Sequence, residues 1–403
     1  MPTNSQHISQ DTYGTDHPGT IFALSELQPL DDDLFARTAE DLASKLGSLG
    51  EPGAEAQHLT ESWQHIADVG WGGLLVPEEL GGGGFALSFA ALAAQALGRH
   101  GVVTPFLETA VVAPVLLRQA TGTLRDDLLA KVAAGDVIVP ISSIDDQMRF
   151  RASAVVSAHR DDTGQVLLSG RVRVPFGAMA SGFIVIVDVN EEPQLAFVER
   201  DAAPLSDAGT ADDPDLAVLD LDGVALPPDR LMSLSASAIG GVSVALALLD
   251  AYLVGAMSRA TELTTSFVEE RHQFGKPLSS FQAVRHHCAD MYTSVVQSRL
   301  LCRQAIGAVA SGERDPLPFF AHAAIAEKVL STADLAHQLH GGVGYYRPYY
   351  LERITRGAYR ATRLLCSTEL VRDYCVSHLA GTTNPFNSVL GKLSNPAHIT
   401  VDW

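Results

Sequence analysis

The stretch Arg271-His272-Gln273-Phe274-Gly275-Lys276-Pro277-Leu278, followed by Phe281-Gln282, separates two long segments of helical periodicity. Before it, Ile239, Val242, Leu246, Leu249, Leu253, Met257, Leu263 and Phe267 trace one apolar stripe; after it, Phe281, Val284, Cys288, Met291 and Val295 trace another. Glycine and proline break the period between them, so the stretch is the corner joining two helices. A guanidinium, an amide and glycine-exposed backbone beside a helix start suit an anion, because free N–H groups and the helix dipole both favour negative charge. Taken alone, an ordinary helix corner with a capping arginine is the simpler reading.

Working outward, a third helix is predicted from about Pro316 to His340. It is closed by Gln338-Leu339-His340-Gly341-Gly342-Val343-Gly344-Tyr345, where the glycines let backbone approach a ligand with no Cβ in the way. His340 has the chemistry of a titrating catalyst, but a histidine at a helix end is more often a capping or packing group. Upstream, residues 33–134 read as helical, with breaks at Gly70 to Gly73, Pro77 and Gly81 to Gly84. Residues 135–232 change to short β-branched runs such as Val137 to Val139, Val166 to Leu168, Phe183 to Val187 and Leu195 to Val198. The expected fold is therefore α+β: a mobile leader (1–32), a helical domain (33–134), a small β domain (135–232), an antiparallel helical bundle (233–382) and a tail (383–403).

Composition narrows the function. Lys+Arg 28 against Asp+Glu 47 gives a formal charge of −19 over 403 residues, which argues against a nucleic-acid partner. No apolar run approaches the ~20 uncharged residues of a membrane span, so a soluble chain is expected. Cys288, Cys302, Cys366 and Cys375 show neither a Cys-x-x-Cys pair nor a metal-ligand spacing. They read as free thiols and no metal site is expected. The polar N-terminus lacks the basic-then-apolar pattern of a secretory signal, and a cytoplasmic location follows as an expectation.

The two glycine-bearing stretches together resemble the acyl-CoA dehydrogenase superfamily. That family carries Arg-x-x-Phe-Gly-x-Pro-Leu-x-x-Phe-Gln and Gln-x-His-Gly-Gly-x-Gly-Tyr, and both stand here in order. Val69-Gly70-Trp71 through Pro77-Glu78-Glu79 and Gly81-Gly82 is similar to the family's first-domain loop, and Val224 to Leu231 to its exit from the β domain. The resemblance implies a fold ending in a four-helix bundle, a role in lipid metabolism, an acyl-CoA or related thioester as substrate, and FAD lying between subunits. It implies that Arg271 and Phe274 contact the FAD of a neighbouring subunit with Gln282 nearby, and that Gln338, Gly341 and Gly342 meet its adenosine diphosphate part. A tetramer is expected, with an electron-transfer partner in the manner of the family.

The chain departs from the family where the chemistry is done. Family dehydrogenases remove the substrate α-proton with a glutamate. Counting ungapped from Gly341, with Arg372 on the arginine that ends the family stretch, that position holds Leu365. The alternative family position, counted back from Arg271, holds Ala245 or Leu246. Glu369 and Asp250, each one helical turn beyond, are the nearest acids, with solvated or helix-capping carboxylates as the simpler reading of both. The family's Thr-Glu-Pro loop falls near Ile141-Ser142-Ser143-Ile144, leaving Ser142 or Ser143 to hydrogen-bond the flavin. Its Trp-Ile-Thr loop falls near Val174-Pro175-Phe176-Gly177. These losses resemble the glutamate-lacking subunit of actinobacterial sterol-degrading α2β2 enzymes, whose partner subunit keeps the base. A flavin monooxygenase or dehydratase on the same fold, a self-sufficient dehydrogenase with a relocated base, and a flavin-free scaffold remain as alternatives.

Overall fold

The computed structural model describes residues 33–48, 55–144, 156–161, 164–189, 192–209, 215–235, 238–312, 316–346, 350–383 and 385–386. The expected leader at 1–32 and the tail beyond residue 386 lie outside them.

The first helices are α1 (Asp33–Ser48), α2 (Glu55–Asp68), α3 (Leu87–Arg99), α4 (Ala113–Leu117) and α5 (Thr123–Ala134), with a π-helical turn at Phe106–Val112 running into α4. In α1, Ala39, Ala43 and Leu46 are buried at helical spacing, and in α2 Leu59, Trp63 and Ile66. The alanine-rich α3 buries Ala90, Ala91, Ala93, Ala94, Ala96 and Leu97 against the bundle.

A mixed sheet follows: β1 (Val156–Arg160), β2 (Val166–Val174), β3 (Gly182–Val189), β4 (Glu192–Glu199), β5 (Leu205–Asp207), β6 (Ala217–Asp220), β7 (Val224–Leu226) and β8 (Leu231–Ser233). The order is β5-β6-β2-β1-β3-β4-β8 with β7 also on β2, and only β1–β3 is parallel. The unbroken apolar run of β3 has a reason. Phe183, Val185 and Val187 enter the sheet's own core, while the alternating Ile184 and Ile186 join the core of the helical parts. The expected strand at Val137 to Val139 does not form. The segment runs beside β3 through an isolated parallel bridge, Ile141 to Ile184. Pro140 accepts from Ile184 N–H but has no N–H to donate, which interrupts a ladder.

The C-terminal part comprises α6 (Ala238–Glu270), the two-stranded hairpin β9 (His272–Gln273) and β10 (Lys276–Pro277), α7 (Gln282–Ala310), α8 (Leu317–His340), α9 (Tyr350–Ala361) and α10 (Thr368–Ala380). Helices α6, α7 and α8 pack mutually, α10 packs on α8, and α9 packs on α6. At about 50 Å, α6 is the central element. It is long and apolar enough to cross a membrane, contrary to the sequence expectation, yet 83% of its most apolar window is buried inside the protein, which makes it a core helix. It touches α3 through glycines: a Cβ on Gly98 would lie 2.1 Å from the Tyr252 carbonyl oxygen, and one on Gly255 2.0 Å from that of Gln95. Since backbone cannot step aside as a side chain does, Gly255→Ala is expected to cost about 1–3 kcal/mol, read as a lowered denaturation midpoint. An unchanged midpoint would show that the two helices separate freely.

Candidate functional site

The two glycine-bearing stretches meet at one end of the bundle. Phe267, one turn before Arg271, stacks on His340 with ring centroids 4.3 Å apart, so the ends of α6 and α8 are pinned together. Beyond α6, the β9–β10 hairpin turns through Phe274 (φ 55°) and Gly275 (φ 80°), and Leu278 N–H donates to the Arg271 carbonyl at 2.8 Å. Two successive positive φ values are what a tight hairpin turn requires, and Phe274 is a residue that adopts them at a cost. Its ring is 89% exposed and meets only the edge of Phe281, which also lies under the Lys276 ammonium at 4.2 Å. A strained, solvent-facing aromatic is a feature that a ligand or partner explains better than the fold does.

At the end of α8, Gly341 has φ 60° and ψ −145°, a conformation open to glycine alone. Cβ atoms built on Gly275, Gly341 and Gly342 would meet nothing within 4 Å, so the backbone there faces open space. Arg271, Gln282, Gln338, Gly341 and Gly342 are all exposed at this end or on the adjoining first turn of α7. His340 behaves as the packing group the sequence favours: it is buried, its Nδ1 donates to the Ala336 carbonyl at 2.8 Å, and burial lowers its pKa. His337, also held low by burial, stacks on Tyr345 and lies 2.9 Å from Thr355 Oγ1.

The positions that ungapped counting assigns to the family's base carry no acid. Leu365, Ala245 and Leu246 are buried apolar residues. The Leu365 carbonyl accepts from Ile144 N–H at 2.8 Å and from Ser143 Oγ at 3.3 Å. This places the Ser142-Ser143 segment against Leu365, but with its hydroxyls turned to protein. Ser142 is buried, and its Oγ accepts from Ile186 N–H at 3.3 Å. Glu369 is exposed in the first turn of α10, where a carboxylate complements the helix dipole. Asp250 is neither solvated nor capping. It is fully buried in the bundle, 2.7 Å from Nδ1 of His322 on α8.

Sequence reasoning missed an acid that faces a cavity inside the helical core. Glu108, in the π-helical turn, lies 2.7 Å from Arg360 of α9; their side chains are 2% and 8% exposed. The Arg360 guanidinium also covers the Phe176 ring at 3.8 Å, on the loop where the family's Trp-Ile-Thr segment falls by counting. Phe176 is buried with φ 52°. Tyr252 of α6 stands in the same wall, its hydroxyl donating to the Val102 carbonyl at 3.2 Å and its pKa raised by burial. The cavity they enclose is about 10 Å³, the room of one water. No signal in the chain foretold the pair, whose members are 252 positions apart.

A helical domain, a small sheet and a long-helix bundle with these two motifs define an acyl-CoA dehydrogenase-type protein. The acyl-CoA dehydrogenase N-terminal domain matches residues 30–136 and the C-terminal domain residues 242–373. "Acyl-CoA dehydrogenase FadE28" of Mycobacterium tuberculosis is 30% identical over 319 residues, covering 75% of this chain and 88% of its own length. The chain belongs to the acyl-CoA dehydrogenase family. Among solved structures, the ChsE4-ChsE5 complex from Mycobacterium tuberculosis shares the fold at a TM-score of 0.77, with 23% identity over 88% of this chain and 100% of the other. Butyryl-CoA dehydrogenase from Megasphaera elsdenii does so at 0.73, with 18% identity over 86% and 98%.

Proposed function

We propose that this chain is the base-lacking subunit of a heteromeric acyl-CoA dehydrogenase, completing the flavin site of a related glutamate-bearing subunit. The observation that carries the reading is an asymmetry within one chain. Its hairpin and glycine end is open and polar, while its own cavity holds no acid at either family base position and is closed around Glu108 and Arg360. The first half suits a dinucleotide: Arg271 and the bare amides of Gly341 and Gly342 match a pyrophosphate, and the exposed Phe274 ring a flat heterocycle. The second half does not, since Arg360 already covers Phe176 and Ser142 and Ser143 are bonded to protein. Bound FAD would supply the acceptor for a hydride leaving the β-carbon of a thioester. The "ChsE4-ChsE5 complex" is by its name an assembly of two components, which supports a heteromeric arrangement here. So does the stripe of exposed Tyr292, Val296 and Leu300 along α7, an apolar face that a partner would cover. Four subunits, an electron-transfer partner and a cytoplasmic location, which four free thiols suit, complete the proposal.

The test is co-expression with a related chain that carries the glutamate. Yellow protein and four-subunit mass by light scattering are expected only for the pair; a flavin-loaded monomer of this chain would refute the proposal. Within the pair, Arg271→Ala removes one charged partner of a phosphate, and FAD binding is expected to weaken by about 1.5–3 kcal/mol. Full occupancy at dilute FAD would remove Arg271 from the site.

A further inference from the structure

We infer that Glu108 and Arg360 form a built-in plug that keeps this chain's own cavity closed to an acyl chain. This rests on the proposed reading only in taking the cavity beside Leu364 and Leu365 as the place an acyl chain would enter. Apart from the pair, the wall is largely apolar: Leu97, Val102, Leu107, Tyr252, Ala361 and Leu364. Such a wall suits a hydrocarbon, and smaller side chains at 108 and 360 would widen the cavity toward the size of a short acyl chain. Instead two long side chains fill it, nine-tenths or more buried and 2.7 Å apart.

Stability alone does not call for charges there. A buried ion pair gives up the hydration of both members, and apolar residues of like volume commonly serve a core as well or better. What the pair does is specific. Glu108 comes from the first helical region, Arg360 from α9, and Phe176, under the guanidinium, from the loop after β2, so one contact joins all three parts of the chain. An entering acyl chain would have to part the buried ions, a cost that burial of a few methylenes does not offset. Glu108 and Arg360 thus exclude the substrate sterically and electrostatically, and they are the residues that determine which subunit of a pair takes it.

The experiment counts butyryl-CoA bound by the full-length chain in equilibrium dialysis with FAD present. The wild-type chain is expected to bind none and Glu108→Ala/Arg360→Ala to bind one per chain. One per chain in wild type, or none in a double variant whose circular dichroism is native, overturns the plug. A second measurement does not depend on the double variant's folding. Glu108→Ala alone removes atoms equivalent to acetate from beside Arg360. Its lowered Tm is expected to recover in acetate but not in chloride at equal ionic strength, and absence of acetate-specific recovery also overturns the idea. Failure of the plug is separable from failure of the subunit proposal. Turnover by the isolated wild-type chain sinks the proposal, whereas unchanged thioester binding in the folded double variant sinks only the plug.

Discussion

Asp250→Ala is expected to destabilise the protein by about 3–5 kcal/mol, among the largest effects of any single substitution here. Asp250 and His322 face each other from α6 and α8 at 2.7 Å, both fully buried, and the second carboxyl oxygen has no hydrogen-bond partner. Removing the acid leaves a buried imidazole unpaired and a hole in the central helix. Replacing both, as Asp250→Leu/His322→Leu, is expected to recover most of the loss, since apolar packing substitutes for a buried pair. Burial holds the Asp250 carboxyl above its ordinary range, with the nearby His322 opposing the shift. A carboxyl raised in the folded state favours the fold fully below its unfolded value of about 3.9, and that contribution is lost as pH rises through the folded value. Asp250→Asn should flatten the pH dependence of stability over that interval. Denaturation midpoints across pH decide the matter: a cost below about 1 kcal/mol for Asp250→Ala would mean the pair is incidental.

The helical architecture was legible because its signals are local. The α6 stripe, the Gly275-Lys276-Pro277 break and the Gly341-Gly342 stop each lie within a few residues, and periodicity reads over just that range. What stayed hidden is pairing across the chain. Asp250 read as a solvated or capping carboxylate because its neighbours on α6 say nothing of His322, 72 positions on. Glu108 drew no notice in an apolar run because Arg360 lies 252 positions away. The stripe drawn along α6 was also too narrow, for the helix is buried on nearly every side, and a helix apolar all round has no face that marks its partners. The strand expected at Val137 to Val139 had the right composition and failed on Pro140, a ladder constraint that β-propensity does not contain.

The isolated chain, supplied with FAD, is expected to show no ordinary acyl-CoA dehydrogenase turnover. Leu365, Ala245 and Leu246 cannot accept a proton, Glu369 faces solvent, and Asp250 is committed to His322 inside the bundle. Loss of a positioned general base typically forfeits ~10² to 10⁴ in rate. Among the described residues lining the cavity the acid is Glu108, and it is held in an ion pair with Arg360, which leaves its carboxylate already engaged. The assay takes straight-chain, branched and steroid-side-chain CoA thioesters, first with this chain alone and then with a glutamate-bearing partner. Turnover that appears only with the partner, and is lost when the partner's glutamate is replaced, is the expected result. Turnover by the chain alone that vanished in Glu108→Gln would identify that residue as a relocated base and make the protein a self-sufficient dehydrogenase. Oxygen-dependent consumption of reduced flavin without thioester oxidation would instead assign the fold to monooxygenase chemistry. The three outcomes differ in which carboxylate the rate follows: the partner's, Glu108, or none.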